Sequence, residues 1–94
     1  AWDDTKLLSG EPGESVVIAR RKGDAWYIAG INGKDTPQKI VIDFKPLNLK
    51  RGDISLYKDK DSEKGLEMIK IEKLPKQYSV NCIERGGFVM KISD

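Results

Sequence analysis

Most of the side chains in this sequence that could do chemistry are carboxylates, and the most suggestive group is Asp59-x-Asp61-x-Glu63. Acids at alternate positions are spaced like the opening of a calcium loop held between two helices. Such a loop also needs glycine at its sixth position and a bidentate glutamate at its twelfth. Those positions are Lys64 and Lys70 here, and Lys60 and Lys64 offset the local negative charge. Residues 58–64 are therefore expected to form a mixed-charge, solvated hairpin loop rather than a metal site. Two carboxyl groups can instead divide acid–base work when a water-poor pocket holds them roughly 5–10 Å apart. Asp3, Asp4, Glu11, Glu14, Asp24 and Asp35 all fall in expected loops or strand ends, among Lys, Gly or Pro, where they serve solubility. The sequence nominates no catalytic residue.

Histidine is missing altogether, and Cys82 is the only cysteine. Imidazole zinc sites, Ser-His-Asp triads and Cys-His dyads each lack an indispensable member, and neither an internal disulfide nor a thiolate cluster can form. No metal or cofactor is expected in this domain. Cys82 alternates with Tyr78 and Val80 along an apparent strand, which makes it a small core residue.

Aromatic and cationic residues offer a binding chemistry instead. Arg20-Arg21-Lys22 precedes Trp26-Tyr27, the combination that single-stranded nucleic-acid binders use for phosphate contact and base stacking. Strand alternation sends Arg20 and Arg21 to opposite faces, so they cannot make one patch, and Trp26 is expected in the core with a flanking cation over its ring. Seventeen Lys and Arg against fifteen Asp and Glu leave a net charge of only +2, which excludes a nucleic-acid footprint. A sugar platform would need two coplanar exposed rings. Trp2 and Tyr57 are the candidates for carbohydrate binding, with Tyr27 and Tyr78 also on strands, where rings more often pack inward.

These side chains must be positioned by strands. Apolar residues recur with period two almost everywhere, and no amphipathic helix stands out. Residues 13–30 read as two strands joined by a Lys22-Gly23-Asp24 turn, and both faces of that pair are apolar, as in the middle of a sheet. Further strands are expected over 38–44, 53–58, 66–72, 77–83 and 87–92, separated by Gly, Pro, Asn and Asp. Gly86-Gly87 should supply positive φ and a close strand approach. The expected fold is all-β: an antiparallel β-sandwich of about seven to eight strands with Greek-key connections. At 94 residues it is a single domain, 1–94, whose first ten residues are a junction segment. The longest apolar run has four residues, Val16 to Ala19, far below the roughly 20 that a spanning helix needs, so no membrane insertion is expected. The sequence opens without a charged-then-apolar targeting segment.

Three segments carry a family pattern: Trp2-Asp3-Asp4-Thr5, the pair Gly13 to Gly30, and Gly86-Gly87-Phe88-Val89-Met90-Lys91-Ile92. In this order they resemble the C-terminal domain of glycoside hydrolase family 97, bacterial α-glucosidases and α-galactosidases. Cys82-Ile83-Glu84-Arg85 departs from the more apolar, proline-bearing stretch expected there. The resemblance implies a non-catalytic structural or oligomerisation domain acting in carbohydrate degradation. It implies as its partner an upstream catalytic barrel of the same polypeptide, where hydrolysis and a calcium ion reside, and a possible homo-oligomer contact. Trp2, at the junction, is the candidate for domain contact. A periplasmic or outer-membrane-associated location follows from the same resemblance. The alternatives are a carbohydrate-binding module and a free-standing interaction domain.

Overall fold

Alternation of apolar and polar residues becomes eight antiparallel strands in the computed structural model, which describes residues 2–10, 15–49, 52–59 and 65–93. They are β1 (Asp4–Gly10), β2 (Ser15–Lys22), β3 (Ala25–Asn32), β4 (Gln38–Asp43), β5 (Asp53–Asp59), β6 (Leu66–Ile71), β7 (Gln77–Cys82) and β8 (Gly87–Ser93). Six form one sheet in the order β1-β2-β3-β8-β5-β6, and β4 pairs with β7 in a second. The expected antiparallel β-sandwich is therefore present, with unequal layers. After β5 and β6 the chain crosses to the small sheet as β7, then returns as β8 to lie beside β5, the return move of a Greek key.

The opening hairpin follows its sequence. Lys22 pairs with Ala25 across a two-residue turn in which Gly23 takes φ +59°, the glycine-first form that suits twisted strands. Residues 4–10, within the expected junction segment, supply the edge strand β1. Its register with β2 shifts between Leu7 and Ser9, and this irregularity breaks the period-two signal that would have revealed it. The Asp59-x-Asp61-x-Glu63 stretch lies largely outside the described residues. Asp59 itself closes β5, and its Oδ2 accepts a hydrogen bond from the Gly87 N–H at 3.3 Å.

The core lies between the layers. Val17, Ala19, Trp26, Ile28, Ile54, Leu56, Phe88, Met90 and Ile92 project inward from the large sheet, against Ile40, Ile42, Val80 and Cys82 of the small one. Phe44 and Leu47 are buried with them, and Asp43 faces water. Each such aliphatic or aromatic side chain contributes about 1.5–3 kcal/mol on leaving water.

The glycines near β8 work differently from expectation. Positive φ falls on Arg85, at 54°, and not on Gly86 or Gly87. Gly87 is needed for close approach, because a Cβ there would lie 2.7 Å from the Gly30 carbonyl oxygen. Arg85 is paired with Asp35, whose Oδ1 accepts from Nε at 2.7 Å and lies 2.7 Å from Nη2. Asn32, wholly buried, ties the loops at this end together. Its Nδ2 donates to the carbonyls of Thr36 and Ile83, and its Oδ1 accepts from the Lys34 N–H, each at 3.0 Å.

Candidate functional site

The two outer faces of the sandwich differ in chemistry. On the small sheet the outward residues are Lys39, Val41 and Asp43 of β4 and Gln77, Ser79 and Asn81 of β7, a polar surface with one exposed apolar side chain. Nine large hydrophobic residues are exposed among the described ones, and the other eight, all but Val41, lie on the outside of the six-stranded sheet. Scattered exposed apolar residues are ordinary, but a contiguous array of them marks a contact surface.

Strand register makes this array contiguous. Leu7 stands opposite Ile18, Ile18 opposite Ala29, Ala29 opposite Val89, Val89 opposite Tyr57, and Tyr57 opposite Met68. One residue from every strand thus forms an apolar row across the whole sheet, about 24 Å long at the usual strand spacing. Leu7 remains 66% exposed, Val89 51%, Tyr57 48% and Met68 49%. Two residues further along each strand toward one end of the sheet is a second row, Val16, Ile31, Gly87, Asp59 and Leu66, interrupted by the Asp59 carboxylate. On the other side of the apolar row runs a cationic one: Thr5, Arg20, Tyr27, Lys91, Ser55 and Lys70, again one per strand.

Trp2 belongs to this face. Its ring lies 5.4 Å from that of Tyr27, with Arg20 5.9 Å above the Trp2 ring and Lys91 5.7 Å from the Tyr27 ring. The neighbouring Asp3 fixes the segment: its N–H donates to the Arg21 carbonyl, and its Oδ2 accepts from the Gly23 N–H, both at 2.8 Å. Arg21 Nη1 is 3.9 Å from the same carboxylate and donates to the Gly23 carbonyl at 3.1 Å. Trp2-Asp3 is thus a clasp over the β2–β3 turn that holds an indole, still 45% exposed, on the sheet surface. The cation–ring contact expected at Trp26 occurs at Trp2, while Trp26 is buried in the core, as expected.

Trp2 and Tyr57, singled out as sugar-binding candidates, share this outer face. Trp2 is inclined 60° to Tyr27, and Tyr57 stands two strands away in the apolar row, between Val89 and Met68. Three of the acids named from the sequence have structural partners: Asp3 at the hairpin turn, Asp35 on Arg85, and Asp4 Oδ1 accepting from the Thr5 N–H at 2.8 Å. Among the described residues no group of three or more His, Cys, Asp or Glu could hold a metal ion. The apolar row itself escaped sequence reasoning. The alignment of its members depends on cross-strand register.

A sandwich of this design recurs in solved structures of glycosidases. The fold matches a Geobacillus stearothermophilus β-L-arabinopyranosidase of glycoside hydrolase family 27 with a TM-score of 0.68 at 12% identity, over 97% of this chain and 20% of that one. A Clostridium papyrosolvens family 30 endoxylanase matches with a TM-score of 0.67, also at 12% identity, over 96% of this chain and 24% of that one. Within that class, residues 1–93 match the family described as glycosyl-hydrolase 97 C-terminal, oligomerisation, and the chain belongs to that family. A retaining α-galactosidase of Bacteroides thetaiotaomicron is 34% identical over 96 residues, covering 97% of this chain and 14% of the longer protein. A probable retaining α-galactosidase of Streptomyces bingchenggensis is 60% identical over 30 residues, 32% of this chain and 5% of the relative. A β-arabinopyranosidase structure is 33% identical with a TM-score of 0.75, over 96% of this chain and 14% of that one. The chain therefore spans about one-seventh of the two relatives that are about one-third identical to it along nearly its whole length. It is the C-terminal oligomerisation domain of that family of glycosidases.

Proposed function

We propose that this domain serves a retaining glycosidase that cleaves α-galactosides or the stereochemically related β-arabinopyranosides, and that it works by docking rather than by touching substrate. The two sugars share ring stereochemistry and differ at the exocyclic carbon, and the relatives of about one-third identity bear these two activities in their names. The supporting observation is the outer face of the six-stranded sheet, where eight of the nine exposed large hydrophobics gather. A surface of that kind is removed from water when it packs on another protein surface. The partner in this proposal is the catalytic barrel of the same polypeptide, which also holds the calcium ion, in a periplasmic or outer-membrane-associated enzyme. A second copy of the enzyme would be recruited through further contacts of the domain, as the family description suggests.

The carbohydrate-binding alternative has less support, because the Trp2 and Tyr27 rings diverge by 60° and offer no flat platform. Assay of the 94-residue chain with aryl α-galactosides, α-glucosides and β-arabinopyranosides should give the buffer rate. The full-length enzyme should lose thermal stability when the domain is deleted. A hydrolytic rate that follows the protein peak of the isolated chain and vanishes on replacing one of its own carboxylates would overturn the proposal.

A further inference from the structure

One dipeptide carries chemistry that the docking role does not use. We propose that Asn32-Gly33 is a self-modification site that the folded domain holds closed, and that its reaction on unfolding removes the domain's way back to the native state.

The reaction is intramolecular up to a final hydrolysis and needs only water. The Gly33 main-chain nitrogen gives up its proton and attacks Cγ of Asn32, the Cγ–Nδ2 bond breaks, and Nδ2 leaves as ammonia. Water then opens the resulting cyclic imide at either carbonyl. The product is aspartate in the ordinary main chain or its β-linked isomer, in which the chain runs through the side-chain carboxyl. Glycine hinders such an attack least, because it has no Cβ beside the attacking nitrogen. The other two asparagines, Asn48 and Asn81, precede Leu49 and Cys82, so Asn32 is the one that the sequence makes reactive.

The fold opposes the attack directly. Asn32 Nδ2 donates to the Thr36 and Ile83 carbonyls and Oδ1 accepts from the Lys34 N–H, each at 3.0 Å, so turning Cγ toward the Gly33 nitrogen would break these bonds. The residue is 0% exposed, and the side chain cannot turn in place without leaving polar groups unpaired. Its own N–H donates to the Gly86 carbonyl at 2.8 Å, which fixes the end of β3 against the turn before β8. Asn48 and Asn81, by contrast, are exposed. The most reactive asparagine of the sequence is thus the one that tertiary structure shields.

The same pocket rejects the product. In aspartate an oxygen replaces Nδ2 and is set against the Thr36 and Ile83 carbonyls, acceptor against acceptors. A carboxylate there loses its hydration and keeps only the Lys34 N–H of the three partners. The β-linked isomer lengthens the main chain where Asn32 meets Gly86, and so disturbs the pairing of β3 with β8 that follows. Since β8 joins β3 to β5 within the six-stranded sheet, an error there reaches both halves. Unfolding therefore becomes irreversible in proportion to the time spent unfolded.

The test is a timed incubation of the chain in mildly alkaline buffer, with and without guanidinium, followed by digestion and mass spectrometry of the peptides holding Asn32, Asn48 and Asn81. In guanidinium, amide loss at Asn32 should outpace that at the other two and yield both aspartate isomers. In buffer alone Asn32 should keep its amide. After dilution from guanidinium, the refolded fraction read by tryptophan fluorescence should fall in step with amide loss at Asn32. Gly33→Ala should preserve both the amide and refolding; Gly33 is exposed and has no positive φ, so alanine suits its backbone. Should that variant fold poorly, the parent chain answers alone: after dilution, the native fraction should carry the amide and the non-native fraction the acid. Equal amide loss at Asn32 with and without guanidinium would overturn the shielding. Chains bearing aspartate at position 32 that refold to the parent's denaturation midpoint would overturn the irreversibility, and the proposal with it.

Discussion

Substitution of Gly30 by alanine should destabilise the domain by steric conflict with one identified ring. Gly30 lies on the inner face of β3 opposite Phe88 of β8. A Cβ at position 30 would fall 2.2 Å from Phe88 Cε1, 2.4 Å from Cζ and 3.0 Å from Cδ1. Carbon atoms pack at about 3.5–4.0 Å, so the ring would have to retreat by more than about 1 Å. Phe88 is buried beside Met90 and Ile92, in a core that has no slack to receive it. Overpacking of this kind costs about 1–3 kcal/mol. Removing a glycine from a strand interior gains only roughly 0.5–1 kcal/mol, so the net sign is destabilising. A domain of this length has roughly 5–14 kcal/mol in total, and each kcal/mol lowers Tm by about 4–8 °C. Phe88→Leu removes the conflicting ring atoms. The double variant Gly30→Ala/Phe88→Leu should therefore be more stable than the sum of the two single effects by about 1 kcal/mol, measured by urea denaturation in a double-mutant cycle. A Gly30→Ala midpoint equal to the parent's, or strict additivity in the cycle, would refute the close-packing account.

Trp26→Ala should cost about 3–5 kcal/mol, since the indole is buried between the layers; a denaturation midpoint unchanged from the parent's would place the ring outside the core. Asn32→Leu should cost about 1–3 kcal/mol for each backbone group it orphans, namely the Thr36 and Ile83 carbonyls and the Lys34 N–H. Hydrogen exchange should quicken selectively around Asn32 to Thr36, and uniform quickening over the whole chain would argue against a local pin. Val89→Asp, in contrast, should change the stability of the 94-residue chain by no more than about 0.5 kcal/mol, because Val89 faces solvent there. A loss several times larger would mean that the outer face supports the fold itself.

Much of the architecture was legible because a strand's two faces are written in alternate residues. Ile40 and Ile42 point inward while Val41 and Asp43 point out, and Gly23 at the tip of two apolar runs announces its hairpin. β1 was not legible, since its register shift at Leu7 to Ser9 interrupts the alternation and its side chains are mixed. The positive φ at Arg85 was also hidden, because a backbone conformation that glycine tolerates more easily was assigned by residue type to Gly86-Gly87. Proximity to Gly30, set by the pairing of β3 with β8, is what requires glycine at 87.

The sequence by itself determined that this is an all-β domain with a buried Trp26, and that no chemistry needing histidine or paired cysteines is open to it. Three ordered segments pointed to its family. These properties depend on residue identity and on spacing along the chain, which need no knowledge of distant partners. The apolar row was decided by tertiary structure alone. Leu7, Ile18, Ala29, Val89, Tyr57 and Met68 come from six strands, and β8, last in the chain, inserts between β3 and β5 to complete their row. A shift of one residue in any of those pairings would turn a side chain inward and break it. Local periodicity tells each strand which residues share a face, whereas only long-range hydrogen bonding selects which of them stand side by side.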